Sequence, residues 1–301
     1  MSETTNLSNQ EVAEIAAAHG IRVQADQIGF TEIGLDFRVG FATAQDGTRW
    51  VLRLPRRADV MARARIEARA LALIGPQLPV AVPDWRVFAE DLIAYPMLPG
   101  EPGLTFDPET YEVTWHFDRN SPLYPRTLGA AIAALHAIEP ETARAADLPV
   151  FTPAALRQKW RDDLARVAAE FDVAPGLLTE LRGWVEDESY WPDVCTLIHG
   201  DLYAGHVMVE TDGRATGIID WTEARVADPA VDLAGHVRAF GEDALPALIE
   251  AYAAAGGRTW PRMAEHCVKL TRASAVTYGI YALETGDAGH RAAAQAQLGA
   301  A

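Results

Sequence analysis

A short run of helix and strand breakers, "PGEPG" at 99–103, divides the sequence into two stretches with different hydrophobic periods. Before it the pattern is that of strands. "DFRVGFAT" and "RWVLRLP" flank "AQDG", whose Asp-Gly pair suits a hairpin turn. "WRVFA" and "LIAYPML" read as two further strands around the acidic turn at Glu90 and Asp91. One helix interrupts this sheet between about 59 and 74, with Met61, Ala64, Ala68, Leu71 and Ile74 on its apolar stripe. Another precedes it, where Ser8 and Glu11 fit a capping box ahead of Val12, Ile15 and Ala16 and Gly20 supplies the stop. After the break the pattern is mostly helical, with helices expected near 124–137, 153–171 and 230–254 and another beyond Pro261. The fold class that follows is α+β, with a β-rich N-terminal lobe over 1–98 and a larger, mostly α-helical C-terminal lobe over 99–301. Ligand sites favour clefts between such lobes.

Charge narrows the partners. Acidic residues number 42 against 26 basic ones, a formal net charge of −16. That balance disfavours nucleic acid and anionic membranes, and no protein partner is implied. A cationic small molecule is favoured, although solvation alone is a sufficient use for an acidic surface. The two cysteines, Cys195 and Cys267, stand apart without metal-type spacing and read as free thiols of a cytoplasmic protein. The first residues, "MSETTNLSNQEVAEIAAAHG", lack the basic and apolar regions of a signal peptide, and no apolar run reaches the ~18 residues of a membrane helix.

Chemistry concentrates in "LIHGDLYAGHVMVETDGRATGIIDW", 197–221. "HVMVE" and "ATGIID" are strand-like, and the Asp212-Gly213 pair between them marks a hairpin turn. Antiparallel pairing about that turn places Asp220 across from Gly205 or His206, with Asp201 entering at the same end. A slip of one residue would turn Asp220 to the opposite face. Taken singly, each of these residues is explained by turn formation or core hydrogen bonding. Taken together on one hairpin, Asp201, His206 and Asp220 suit either phosphoryl transfer from a Mg²⁺-bound nucleotide or metal-assisted hydrolysis.

The first third of the chain favours the former. Arg53 lies inside the otherwise apolar strand "RWVLRLP", where an unpaired guanidinium is costly. Glu67 borders the apolar stripe of the following helix and can pair with it, leaving Arg53 held for a nucleotide phosphate. A purely structural ion pair is the alternative. Strand cation, helix acid, linker and acid-rich hairpin follow in the order a kinase needs, and a hydrolase has no use for the first two.

"HGDLYAGH" with "IIDW" resembles the catalytic loop and metal-binding aspartate of aminoglycoside-phosphotransferase-like kinases, which share the bilobal protein-kinase-like fold. "GLDFRV", "RWVLRLPRR", "PVAVPDWRV", "AYPML", "HGDLYAGHV", "IDWTEARVADPAVD" and "AAGGRTWPR" together are similar to the macrolide 2′-phosphotransferases, intracellular resistance enzymes that phosphorylate the desosamine 2′-hydroxyl. The resemblance implies Asp201 as catalytic base and Asp220 as Mg²⁺ ligand. His206 stands where general kinases have Asn, and Arg53 where they have Lys; both departures are shared by the macrolide enzymes. Gly34 would belong to the loop over the phosphates. The purine would lie against Tyr95, Met97 and Leu98, with Ile219 beneath, and Pro96 offers no N–H. The implied cofactors are GTP, with ATP as the second choice, and Mg²⁺.

A macrolide substrate would need carboxylates for its dimethylamino group and aromatics for its lactone ring. Tyr203, Glu223 and Asp228 lie near the catalytic hairpin in sequence, and Tyr278 stands out among the later aromatics, Phe240, Tyr252, Trp260 and Tyr281. For each aromatic, core packing is the plainer reading. Asp232, at a helix start, reads as a structural hydrogen-bond acceptor. An aminoglycoside or choline-like acceptor keeps the same chemistry with another substrate. A catalytically inert nucleotide-binding regulator is disfavoured by the presence of both Asp201 and Asp220.

Overall fold

The structure is a computed structural model that describes residues 7–31, 36–107, 110 and 112–299; Gly34 lies outside the described residues. In chain order the elements begin with α1 (Asn9–Ala18), β1 (Gly29–Thr31), β2 (Phe37–Thr43), β3 (Arg49–Pro55) and α2 (Val60–Ile74). Next come β4 (Val87–Phe88), β5 (Ile93–Pro96), β6 (Glu101–Pro102), β7 (Leu104–Phe106) and β8 (Val113–Trp115). Four helices follow: α3 (Leu123–His136), α4 (Pro140–Ala145), α5 (Pro153–Glu170) and α6 (Pro175–Glu186). Short strands β9 (Thr196–Ile198), β10 (Val207–Val209), β11 (Ala215–Ile218) and β12 (Arg225–Ala227) precede the last helices. These are α7 (Ala230–Phe240), α8 (Leu245–Ala254), α9 (Met263–Thr285) and α10 (Ala288–Gly299).

The chain forms two compact units, and neither is continuous in sequence. The first comprises Met1–Tyr124, Ala146–Leu148 and Gly205–Ala224; the second comprises Pro125–Ala145, Pro149–Ala204 and Arg225–Ala301.

A five-stranded antiparallel sheet of order β1-β2-β3-β5-β4 forms the centre of the first unit. Strand alternation sends Leu52 and Leu54 of β3 into a core with Val12, Ala16, Ile21 and Ile28, where α1 begins at the Ser8–Glu11 capping box. The opposite face of the sheet meets α2, whose Val60, Met61 and Ala64 pack with Phe37 and Ile93. Arg53 belongs to this second face. Its Nη1 donates to Glu67 Oε1 at 2.9 Å, and Glu67 is fully buried. The guanidinium also lies over the Phe37 ring, 4.2 Å from its centroid. Burial acts to lower the Arg53 pKa, but the charge and hydrogen bond of Glu67 and the charge of Asp220 outweigh it and hold the group further above its usual range.

The breaker run at 99–103 does more than separate two patterns. Glu101 and Pro102 form an edge strand on β10, in a three-stranded sheet of order β11-β10-β6. Proline is tolerated there because an edge need not donate on both sides. Gly100 has φ 87° and approaches the Val209 carbonyl so closely that a Cβ would clash. The β10–β11 hairpin is tied to the first unit from its other side too, because Ala81 N–H donates to Thr216 O at 2.8 Å.

In the second unit, α5, α6, α9 and α10 share one apolar core around Trp184, Leu181, Val167, Val276 and Leu298. Helices α3, α5 and α9 match the sequence expectation closely, whereas the helix expected over 230–254 is broken. Gly241 takes φ 88°, which ends α7 and leaves a short turn before α8. Among the described residues no helix is long and apolar enough to cross a membrane. Both cysteines are buried free thiols.

Helix α7 packs on the segment after β9 at Gly235, where any Cβ would overlap the Leu202 carbonyl oxygen. Gly235→Ala should therefore lower stability by about 1–3 kcal/mol in urea unfolding, an overpacking cost that a compatible site would not show. Glu67→Ala should cost about 3–5 kcal/mol, because it strands a buried guanidinium, while the Arg53→Met/Glu67→Leu pair should recover most of that loss. A third expectation concerns acid. Burial holds the His236 imidazole down to about 4 from the usual 6.5, so the stability it contributes is full above 6.5 and is lost as pH falls toward 4. Unfolding free energy should fall by up to about 1 kcal/mol per pH unit across that window, and His236→Phe should flatten the slope.

Candidate functional site

In the first unit the hairpin ladder continues one step past β11, since Ile219 N–H donates to His206 O at 2.9 Å. Asp220 therefore stands opposite Gly205, the register the sequence pattern allows. Its backbone departs from the ladder with φ 63°, a left-handed conformation that costs an Asp of the order of 1 kcal/mol and marks a constrained position. The side chain is about half exposed and faces the buried ion pair. Thr222 Oγ1 lies 2.8 Å from Asp220 Oδ1 and 3.3 Å from Glu67 Oε2, so its single proton is shared between two carboxylates. His206 Nε2 lies 3.7 Å from Asp220 Oδ2. Arg53, Glu67, His206, Asp220 and Thr222 thus form one polar cluster, and Thr222 is the member that the sequence reading missed.

Beside this cluster lies an apolar wall. Val51, Tyr95, Leu98 and Met208 pack together, with Val39, Trp85, Met97 and Ile219 against them. The Tyr95 hydroxyl is pushed up to about 12, chiefly by burial, and stays neutral. Met97 N–H is committed to Arg49 O at 2.7 Å, so of the expected hydrogen-bonding segment Met97 can offer only its carbonyl, and Leu98 remains as a backbone donor. Glu223 is exposed on the same unit.

Asp201 belongs to the second unit. It follows β9 on a turn where Gly200 has φ 91°, a left-handed position suited to glycine. Asp232, near the start of α7, holds that turn. Its Oδ2 accepts from His199 N–H at 2.8 Å and its Oδ1 from Gly200 N–H at 2.9 Å. Burial acts to raise the Asp232 carboxyl, but the hydrogen bond and charge of His136 and the Gly200 amide outweigh it and leave the group below the usual carboxylate range. The Asp201 carboxylate itself is half exposed, with Arg238 Nη2 at 3.9 Å from Oδ1. Asp232, Gly235 and Arg238 are spaced three apart, so one face of α7 meets 199, 200, 201 and 202 in turn. That spacing is visible in the sequence and is the signal by which Arg238 could have been found.

Two expected substrate-facing groups sit elsewhere. Asp228 is 3% exposed, and its Oδ2 lies 2.6 Å from His266 Nε2 while Oδ1 accepts from Ala230 N–H. Trp184 Nε1 completes this chain by donating to His266 Nδ1 at 2.9 Å. Asp228 is thus a buried structural acceptor, the part that sequence reading gave to Asp232. Tyr278 packs against the core of the second unit, its hydroxyl 2.9 Å from His290 Nδ1. Tyr203 is half-buried beside the Asp201 turn.

The donor set around Asp220 fits a hard divalent cation, one carboxylate with an imidazole nearby. Among the described residues no group of three or more His, Cys, Asp or Glu gathers into a self-sufficient metal site. Mg²⁺ commonly uses one or two carboxylates and completes its shell with substrate phosphates and water, whereas a hydrolytic Zn²⁺ needs three protein ligands. The arrangement suits nucleotide-borne metal.

A model of the phosphotransferase enzyme family matches residues 30–266. Over 97% of each chain the structure is similar to the macrolide 2′-phosphotransferase MphH from Brachybacterium faecium, with 48% identity and a TM-score of 0.91. A type I macrolide 2′-phosphotransferase covers 100% of both chains at 43% identity and a TM-score of 0.90. The uncharacterized protein YcbJ of Bacillus subtilis (strain 168) is 38% identical over 292 residues, 95% of each chain. With its α+β, kinase-like architecture, the chain belongs to the phosphotransferase enzyme family and is a small-molecule kinase.

Proposed function

We propose that this kinase transfers the γ-phosphoryl group of GTP, with ATP as a second donor, to the 2′-hydroxyl of the desosamine sugar of macrolide antibiotics, and so confers resistance to them. The observation that carries this reading is full-length similarity, at 48% and 43% identity, to two macrolide 2′-phosphotransferases. The net charge of −16 suits a cationic dimethylamino sugar.

Each role follows from the chemistry of its group. Residues 1–98 supply most of the nucleotide-binding elements, joined by Ile219 and Asp220, and the acceptor is bound by residues within 99–301. The Val51, Tyr95, Leu98 and Ile219 wall offers a flat apolar face to a purine, with the Met97 carbonyl and the Leu98 amide as the polar contacts at its edge. Arg53, immobilised by Glu67, presents its remaining N–H groups to phosphate oxygens, and rigidity matters because positioning is most of the catalysis in phosphoryl transfer. Asp220, with His206 as water-bridged or direct neighbour, would hold Mg²⁺, which when bound neutralises phosphate charge. Asp201 orients the sugar hydroxyl and receives its proton as the hydroxyl oxygen bonds to the γ-phosphorus and the bond from that phosphorus to the β,γ-bridging oxygen breaks, releasing the nucleoside diphosphate. Glu223 and Tyr203 lie within three residues of Asp220 and Asp201 respectively and are the candidates for the cationic sugar and the lactone ring. Such an enzyme works where its nucleotide is made, in the cytoplasm.

Mass spectrometry of erythromycin incubated with the protein, GTP or ATP, and Mg²⁺ tests the reading directly. One added phosphoryl group is expected, and a chelator should abolish it. Asp201→Ala should reduce turnover by at least about a hundredfold while nucleotide binding, read by calorimetry, persists. Phosphorylation confined to an aminoglycoside or a choline-like amine in a parallel panel would overturn the macrolide assignment and keep the kinase.

A further inference from the structure

The second unit contains a buried hydrogen-bonded chain that ends on the turn carrying Asp201. His136, the last residue of α3, has its Nε2 3.2 Å from Asp232 Oδ2 and its Nδ1 2.9 Å from the Tyr252 hydroxyl. Tyr252, on α8, is fully buried, and the His136 side chain is 2% exposed. An ionised Asp232 can only accept, which puts a proton on His136 Nε2, while His136 Nδ1 and the Tyr252 hydroxyl share the next hydrogen bond. The chain therefore runs from tyrosine to histidine to aspartate, and the aspartate accepts the amides of His199 and Gly200.

We infer that His136 and Tyr252 are positioning residues for phosphoryl transfer, acting on Asp201 through Asp232 and the backbone of the preceding turn. The inference rests on the role given to Asp201 above. Its ground is where the chain ends. A network that served packing alone would close on core groups, whereas this one closes on the two amides that immediately precede the reacting carboxylate. The residue after Asp201 is fixed from the same helix, because α7 meets the Leu202 carbonyl at Gly235 with no space for a side chain. Asp201 is thus held on both sides, and Gly200, at φ 91°, is the position where the turn would yield if Asp232 lost its anchor. Removing His136 leaves Asp232 buried with its two amide donors but without the group that orients its carboxylate plane. The amides can then follow the carboxylate, and Asp201 with them. The hydrogen bonds of His136 and Tyr252 lead to the Asp201 turn and to none of Arg53, His206 and Asp220, so the effect belongs in kcat and not in nucleotide affinity.

Three variants of the full chain, His136→Ala, His136→Gln and Tyr252→Phe, test this with two readouts. Amide exchange is followed in the peptide spanning 196–203, without nucleotide or acceptor. For His136→Ala that peptide should exchange about tenfold faster while peptides of α9 and α10 keep their rates. In turnover with the acceptor that the wild type modifies, His136→Ala should lose about a hundredfold in kcat with KM for both substrates within about threefold. His136→Gln, whose amide can reach Asp232 as a donor, should recover most of that loss, and Tyr252→Phe should fall between the two. Unchanged exchange at 196–203 with unchanged kcat would overturn the inference, as would a change in KM alone or a failure of Gln to do better than Ala. Should His136→Ala not fold, Tyr252→Phe decides by the same criteria. If the wild type modifies no acceptor at all, the proposed function fails by itself, and the exchange readout still reports whether His136 holds the turn.

Discussion

A buried charge that has found its partner organises the first unit. Glu67 is removed from water entirely, a state that a carboxylate tolerates only when its oxygens are satisfied. Arg53 satisfies one oxygen and the Thr222 hydroxyl approaches the other. Three separate elements, β3, α2 and the segment after β11, are thereby fixed against one another by a single side chain. The same Thr222 hydroxyl reaches Asp220, so the position of the proposed metal ligand is tied to the ion pair below it. Sheet register, helix rotation and site geometry depend on this one desolvated group.

The second unit repeats the logic with different chemistry. Asp228 and Asp232, both buried, each accept from a histidine and from backbone amides. In both, hydrogen bonds offset the cost of burial, which is why such groups can be as well ordered as apolar core residues. Asp201 and Asp220, by contrast, are each about half exposed. Burial thus divides four aspartates of one short region into two that build and two that face solvent.

Much of this was readable from local pattern. The Asp212-Gly213 turn and the alternation around it locate Asp220 on the hairpin, because register follows from turn chemistry. Arg53 announced a partner by being a cation in an apolar strand, and Glu67 was the acid on the facing helix stripe. The parts that resisted reading depend on distant partners. Asp228 looks like a site residue beside the Asp212-Gly213 hairpin until its burial and its hydrogen bond to His266, 38 positions away, are seen. Asp232 could be recognised as an acceptor from its place at a helix start, but not that His199 and Gly200 supply the donors. Gly241 ends α7 inside the stretch that reads as one helix, since an apolar period reports a buried face and not the backbone conformation between two helices.

The discontinuous division of the chain has a consequence for inheritance and engineering. The segment Gly205–Ala224 belongs to the first unit, yet it is encoded between two stretches of the second. A gene fragment ending near 124 would lack β10 and β11, leave β6 without a strand to pair with, and expose the Met208 side of its apolar wall. Recombination between relatives at the visible proline-glycine break would therefore mix hairpin and sheet of different parentage. Successful chimaeras should instead exchange 205–224 together with the N-terminal segment, as a graft in two pieces.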